Sequence, residues 1–138
     1  MKNLTYNYLA ILVAFILVTG LGFLWYGPLF GEPWMGMVGL DPDNIEAPSA
    51  AIWISNFIAS IIPIVALAWL FQKITVESGL KGALIGLMIG FCFVFLTRMT
   101  SNLFEGRPYA LSWITGGFDM VALTLTGLIL GAWRKYKE

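Results

Sequence analysis

Four runs of apolar residues set the terms for this chain: about 4–26, 50–71, 82–102 and 111–133. A helix rises 1.5 Å per residue, so about 20 residues cross the hydrocarbon core of a bilayer. No water is available there, and a backbone that satisfies its own hydrogen bonds within one segment is a helix. The expected fold is therefore all-α, an integral membrane four-helix bundle, with 1–138 as a single transmembrane domain. Composition agrees. The chain is 59% hydrophobic and 12% charged, with mean hydropathy +0.81, where soluble domains run roughly 45–50% apolar and about 25% charged.

The same composition excludes several chemistries. There is no histidine and one cysteine, Cys92, so a disulfide framework, the usual zinc ligand sets and imidazole acid–base catalysis all drop out. Cys92 lies in an apolar run and is expected to behave as a small buried hydrophobe. Net charge is zero, which gives no basic field for nucleic acid. The acidic run DPDNIE, Asp41 to Glu46, lacks the glycine and ligand spacing of a calcium-binding loop. No nucleophile stands beside a candidate base. We expect no catalytic residue, no metal and no cofactor, hence no enzyme.

The connections give the topology. Leu4 to Tyr26 carries no charge and lacks a good small-x-small cleavage site, so it is read as a retained span rather than a signal peptide. Gly27-Pro28 should stop that helix, because proline has no amide to donate. Residues 27–49 then split in two. The first half carries Phe30, Trp34, Met35 and Met37 behind a helix-starting Pro33, and predicts a short interfacial segment after the first span. The second half is a solvated acidic loop. With both termini inside, Lys2, Lys73, Lys81, Arg134, Lys135 and Lys137 lie in the cytoplasm, against Arg98 and Arg107 outside. That bias predicts N-in/C-in. The stretch Leu29-Phe30-Gly31-Glu32-Pro33-Trp34 is echoed by Leu103 to Tyr109, as two parallel hairpins would explain.

Two spans carry small residues at helical spacing. Gly82, Gly86 and Gly90 recur every four residues in the third, and Gly127 and Gly131 repeat the interval in the fourth. Such ridges let helices approach closely, within the bundle or across a homodimer. In the second span Trp53, Asn56, Ser60 and Pro63 share a face, and Pro63 leaves the Ala59 carbonyl without its helical donor.

Only two charged residues, Arg98 and Asp119, fall inside the four runs. An aspartate at a helix centre costs about 2.5–3.5 kcal/mol on insertion scales, so it calls for a partner or a wet cavity. The leading expectation is an ion pair tying the third and fourth spans of a structural, accessory or interaction protein. The alternative is an outward-facing pocket for a small polar or amphiphilic, lipid-like ligand. Its ligand-binding residues would be Arg98, Asp119, Asn56, Tyr26 and Thr115. The expected partners are membrane lipid and a second copy or another membrane protein.

Trp25-Tyr26-Gly27-Pro28-Leu29-Phe30-Gly31, followed by Pro33-Trp34-Met35, resembles the opening signature of a bacterial membrane family known as domain of unknown function 1761. The likeness extends to four spans and a glycine-rich last span ending in tryptophan and basic residues. It implies a small multi-pass protein of the bacterial inner membrane, and no activity or site residue. On physical grounds Trp25 and Tyr26 suit an interfacial anchor, with Leu29-Phe30 dipping towards lipid as a rim.

Overall fold

The computed structural model describes residues 3–137, so Lys2 of the charge count lies outside the described residues. A short strand β1 (Asn3–Thr5) leads into α1 (Tyr8–Leu24), a π-helical turn over Trp25–Leu29 and a short helix α2 (Gly31–Val38). After a 3-10 turn at Pro42–Asn44 come α3 (Ala50–Lys73) and α4 (Gly79–Ile89). A second π-turn, Gly90–Phe95, joins α4 to α5 (Leu96–Phe104). Then α6 (Tyr109–Ala132) and β2 (Lys135–Lys137) end the chain. Four continuous apolar helical segments result: Tyr8–Leu29, Ala50–Lys73, Gly79–Phe104 and Tyr109–Ala132. This is an all-α, multi-pass membrane protein.

Several boundaries move from their expected positions. The first helix begins at Tyr8 and not at Leu4, because Asn7 caps it. The Asn7 side chain accepts from the Ala10 amide at 3.2 Å and donates to the Trp133 carbonyl at 3.1 Å. Residues before that cap pair antiparallel with the chain end, Leu4 opposite Tyr136. Both ends of the described chain therefore lie on one side of the bundle. Gly27-Pro28 does not simply stop the helix: the backbone breaks direction at Gly27 (φ −109°, ψ −105°) inside the π-turn and resumes as α2. Ser78 caps α4 at the Lys81 amide, which starts the third span at Gly79, ahead of the expected Gly82. Cys92 is exposed on the lipid side, so it is not a buried hydrophobe. The echo between residues 29–34 and 103–109 does not extend to structure. The first forms α2, whereas the second closes α5 with a Schellman turn. There Arg107 N–H reaches Asn102 O at 2.9 Å and Gly106 N–H reaches Leu103 O at 3.2 Å, and Gly106 supplies φ +72°.

The last helix is the hub. Of the residues in its apolar window 44% are buried, against 17–22% in the other three, and α1, α3, α4 and α5 all pack on it. The tightest seam is α4 on α6. A Cβ on Gly82 would overlap the Gly127 carbonyl and one on Gly127 would overlap that of Gly82, while at Gly86 it would strike Leu123 O. The two backbones touch, which only glycine permits. Gly131 lies against the Ser78 carbonyl and Gly90 against Met120. The ridge is thus filled by α6 of the same chain.

The steps along that seam expose what the second π-turn does. On α6 the contacts fall at Gly127, Leu123, Met120, Gly116 and Ser112, a regular helical interval. On the third span they fall at Gly82, Gly86, Gly90, then Phe95 and Asn102. An uninterrupted α-helix would present Val94, Thr97 and Ser101. One inserted residue rotates everything after it by about 100°. Thr97 and Ser101 are exposed as a result, and Thr97 satisfies its hydroxyl on the Phe93 carbonyl at 2.9 Å.

Packing is uneven along the bundle axis. The main cluster, Ala10, Ile11, Ala14, Ile64, Leu67, Ala68, Phe71, Val76 and Leu130, seals the half nearer the chain ends. In the other half, α3 from Ala50 to Ala59 is exposed throughout. There the helices part.

Candidate functional site

Where α3 leaves the bundle, a cavity of about 440 Å³ opens between α1, α3, the third span and α6. Arg98 and Asp119 stand on its wall, and Arg98 Nε meets Asp119 Oδ2 at 2.5 Å. The depth is set by helix geometry. Asp119 follows Tyr109 by ten residues, roughly 15 Å along α6 and near the middle of a ~30 Å core. The π-turn places Arg98 on the α6-facing side, within reach. The Arg98 side chain is 50% exposed and that of Asp119 24%, so the pair borders open space and is not sealed in a filled interior.

A second cavity of about 470 Å³ adjoins the first and shares Val18, Tyr26, Asn56, Ser60 and Phe118 with it. Its remaining wall includes Phe23, Trp34, Pro48 and Trp53. The two make one cleft with an aromatic outer part and a polar inner part. The signature residues build the neck between them. Trp25 turns inward and donates its indole N–H to the Ile114 carbonyl at 2.8 Å, so it bolts the π-turn to α6 rather than anchoring at the interface. That fixes the adjacent Tyr26, whose ring packs on Phe118 (5.5 Å) and edge-on to Trp34 of α2 (5.0 Å). In this way α2 and Pro48 roof the aromatic part.

Of the expected ligand residues, Arg98, Asp119, Asn56 and Tyr26 line the polar cavity. Thr115 does not: it faces the aromatic cavity and gives its hydroxyl proton to the Leu111 carbonyl at 3.0 Å. Gly82, Gly86, Gly90, Gly127 and Gly131 lie on the α4–α6 seam, away from both. The polar face expected on the second span lines the cleft, with Trp53 in the aromatic part, Pro63 in the polar part, and Asn56 and Ser60 in both. Reading the sequence missed Phe118, which is adjacent to Asp119 and carried no signal of its own. Thr126 is legible on the Asp119 face, seven residues or two helical turns on, but was not among the expected ligand residues.

The hydroxyls of this wall are committed in one sense. Ser60 donates to Asn56 O at 2.7 Å and Thr126 to Ala122 O at 2.8 Å. Each hydroxyl has a single proton, so the half-buried Ser60 presents lone pairs to the cavity, whereas Thr126 is buried in its wall. Among the described residues no group of three or more acidic or cysteine side chains could hold a metal ion.

The fold and this site define a four-span helical membrane protein with a half-buried ion pair in a cleft open at one end. The chain belongs to the family described as Protein of unknown function (DUF1761), whose model matches residues 9–131. The match spans the π-turn signature, the glycine seam and both charged residues. No curated protein and no solved structure matches this chain.

Proposed function

We propose that this protein binds a polar amphiphile of the bilayer. The headgroup enters the cleft at Arg98 and Asp119, and the apolar part lies along the aromatic cavity or in the surrounding lipid. The observation that carries this reading is the position of the ion pair: a charge pair at mid-membrane depth, half open to a cleft whose opposite end is sealed by the core. Ionisable groups at that depth are costly and face cavities where they serve a ligand. The lysine and arginine bias supports placing the sealed end in the cytoplasm and the cleft outward, in a bacterial inner membrane. Membrane lipid is then the partner. Binding and carriage, without covalent chemistry, account for the side chains in the cleft.

The direct 2.5 Å contact also favours the simpler reading, a tie between two spans of an accessory protein. A double variant separates the two. Arg98→Met strands the more buried Asp119 and should cost about 2–3 kcal/mol, whereas Asp119→Leu leaves a long, half-exposed arginine that can reach water and should cost about 1 kcal/mol. Together they should recover most of the loss. On the binding reading the stable double variant, purified gently, retains far less co-purifying lipid by native mass spectrometry than the parent. Unchanged retained lipid in a stable double variant would refute the binding reading and leave the tie.

A further inference from the structure

From the distribution of donors and acceptors in the cleft, we infer that its ligand is a zwitterion carrying an ammonium group with N–H bonds beside an anionic group. This rests on the proposed headgroup site and specifies its chemistry. Three observations support it.

The pair is neutral as a unit. A purely anionic headgroup would bring a net negative charge to mid-membrane depth, and a cation a net positive one, each with an uncompensated desolvation cost. A zwitterion keeps the site neutral while it meets both side chains.

The two sides of the cavity differ in hydrogen-bonding sense. Arg98 sets its Nε against Asp119 Oδ2 as an ion-pair contact, and among the described residues no acceptor is paired with its two terminal nitrogens. Their N–H groups, in a planar fork, suit a phosphate or carboxylate. The wall formed by α3 and Asp119 instead presents acceptors: the lone pairs of Ser60, whose proton is already given away, and the remaining carboxylate oxygen of Asp119.

The third observation is Pro63, which sits inside α3 and lines the same cavity as Ala59. Having no N–H, it leaves the Ala59 carbonyl lacking its helical donor at that wall. In a membrane helix such a carbonyl is tolerated where another group satisfies it. An ammonium with several N–H bonds answers Asp119, the Ala59 carbonyl and the Ser60 hydroxyl together. A quaternary ammonium has no N–H and does not.

The test uses the full-length protein, delipidated in a maltoside detergent and titrated in native mass spectrometry. The probes are an ethanolamine phospholipid, a choline phospholipid, an anionic glycerol phospholipid and free phosphoethanolamine. The ethanolamine lipid should bind about tenfold or more tighter than either other lipid, as expected for charge-assisted hydrogen bonds that only it can make. Pro63→Ala returns an N–H to the Ala59 carbonyl within an intact helix. It should shrink that preference severalfold and leave weak binding of the glycerol lipid unchanged. Displacement of the ethanolamine lipid by free phosphoethanolamine supports a small soluble zwitterion as the source; failure to displace it supports the lipid. Equal binding of the glycerol lipid would overturn the zwitterion, and equal binding of the choline lipid would overturn the N–H requirement; either, lost on removal of Arg98 and Asp119, overturns the inference and leaves the headgroup site standing. Binding of every lipid that ignores the Arg98→Met, Asp119→Leu double variant would overturn both.

Discussion

Two chemically identical substitutions should move stability in opposite directions. Gly20 on α1 has nothing within 4 Å of an added Cβ, whereas at Gly86 that Cβ would strike the Leu123 carbonyl and its carbon, with Thr124 Cα at 3.2 Å. Replacing glycine by alanine inside a helix gains up to about 1 kcal/mol through propensity and unfolded-chain entropy. At Gly20 this is the whole effect, so Gly20→Ala should stabilise by about 0.5–1 kcal/mol. At Gly86 the obstruction is backbone, which cannot rotate aside. The α4–α6 seam must open, at an overpacking cost of about 1–3 kcal/mol and the loss of contacts on either side. Net of the helix gain, Gly86→Ala should destabilise by about 1–2 kcal/mol. Gly90→Ala, whose Cβ would lie 2.8 Å from Met120 Cα, should fall between. The assay is reversible unfolding in mixed maltoside and dodecyl sulfate micelles, followed by tryptophan fluorescence. Equal stabilisation by Gly20→Ala and Gly86→Ala would refute the close seam and with it the placement of Phe95 and Arg98 above it.

Thr75 between α3 and α4 is held at φ 53° although it is β-branched and exposed; Thr75→Gly relieves that conformation and should stabilise by up to about 1 kcal/mol in the same assay. Asp41 is fully exposed, and its carboxylate accepts from the Asp43 amide at 3.0 Å and from the Asn44 side chain at 2.7 Å, which lowers its pKa from the ordinary 3.8. A depressed folded-state pKa means that the turn's contribution is present above about pH 4 and is lost as pH falls through the lower folded value. Carbon-detected NMR titration should place the Asp41 midpoint below the ordinary 3.8, and Asn44→Ala should bring it back up; a midpoint at or above 3.8 would refute the capped turn.

Much of this molecule was written in one dimension. Four runs of the right length in a solvent without water admit only helices, and residue counting along them needs no tertiary contact. The glycine interval at Gly82, Gly86 and Gly90 marked a close approach, since a missing side chain is a property of the residue itself. The Trp53-Asn56-Ser60-Pro63 face was likewise visible, because a regular helix converts spacing into direction. What the sequence could not show is where that regularity fails. The π-turn at Gly90–Phe95 inserts one residue with no proline, charge or composition change to mark it. Its presence is decided by the fit of Phe95 over Gly116 and of Asn102 on Ser112. Trp25 is ambiguous for the same reason: an indole with a polar handle suits a lipid interface or a carbonyl, and the position of Ile114 decides between them. The cleft itself is a product of separation between helices. Its existence depends on α3 standing away from α6 on the N-terminal side of Ile64, a balance of packing between surfaces far apart in the chain, to which local sequence is blind.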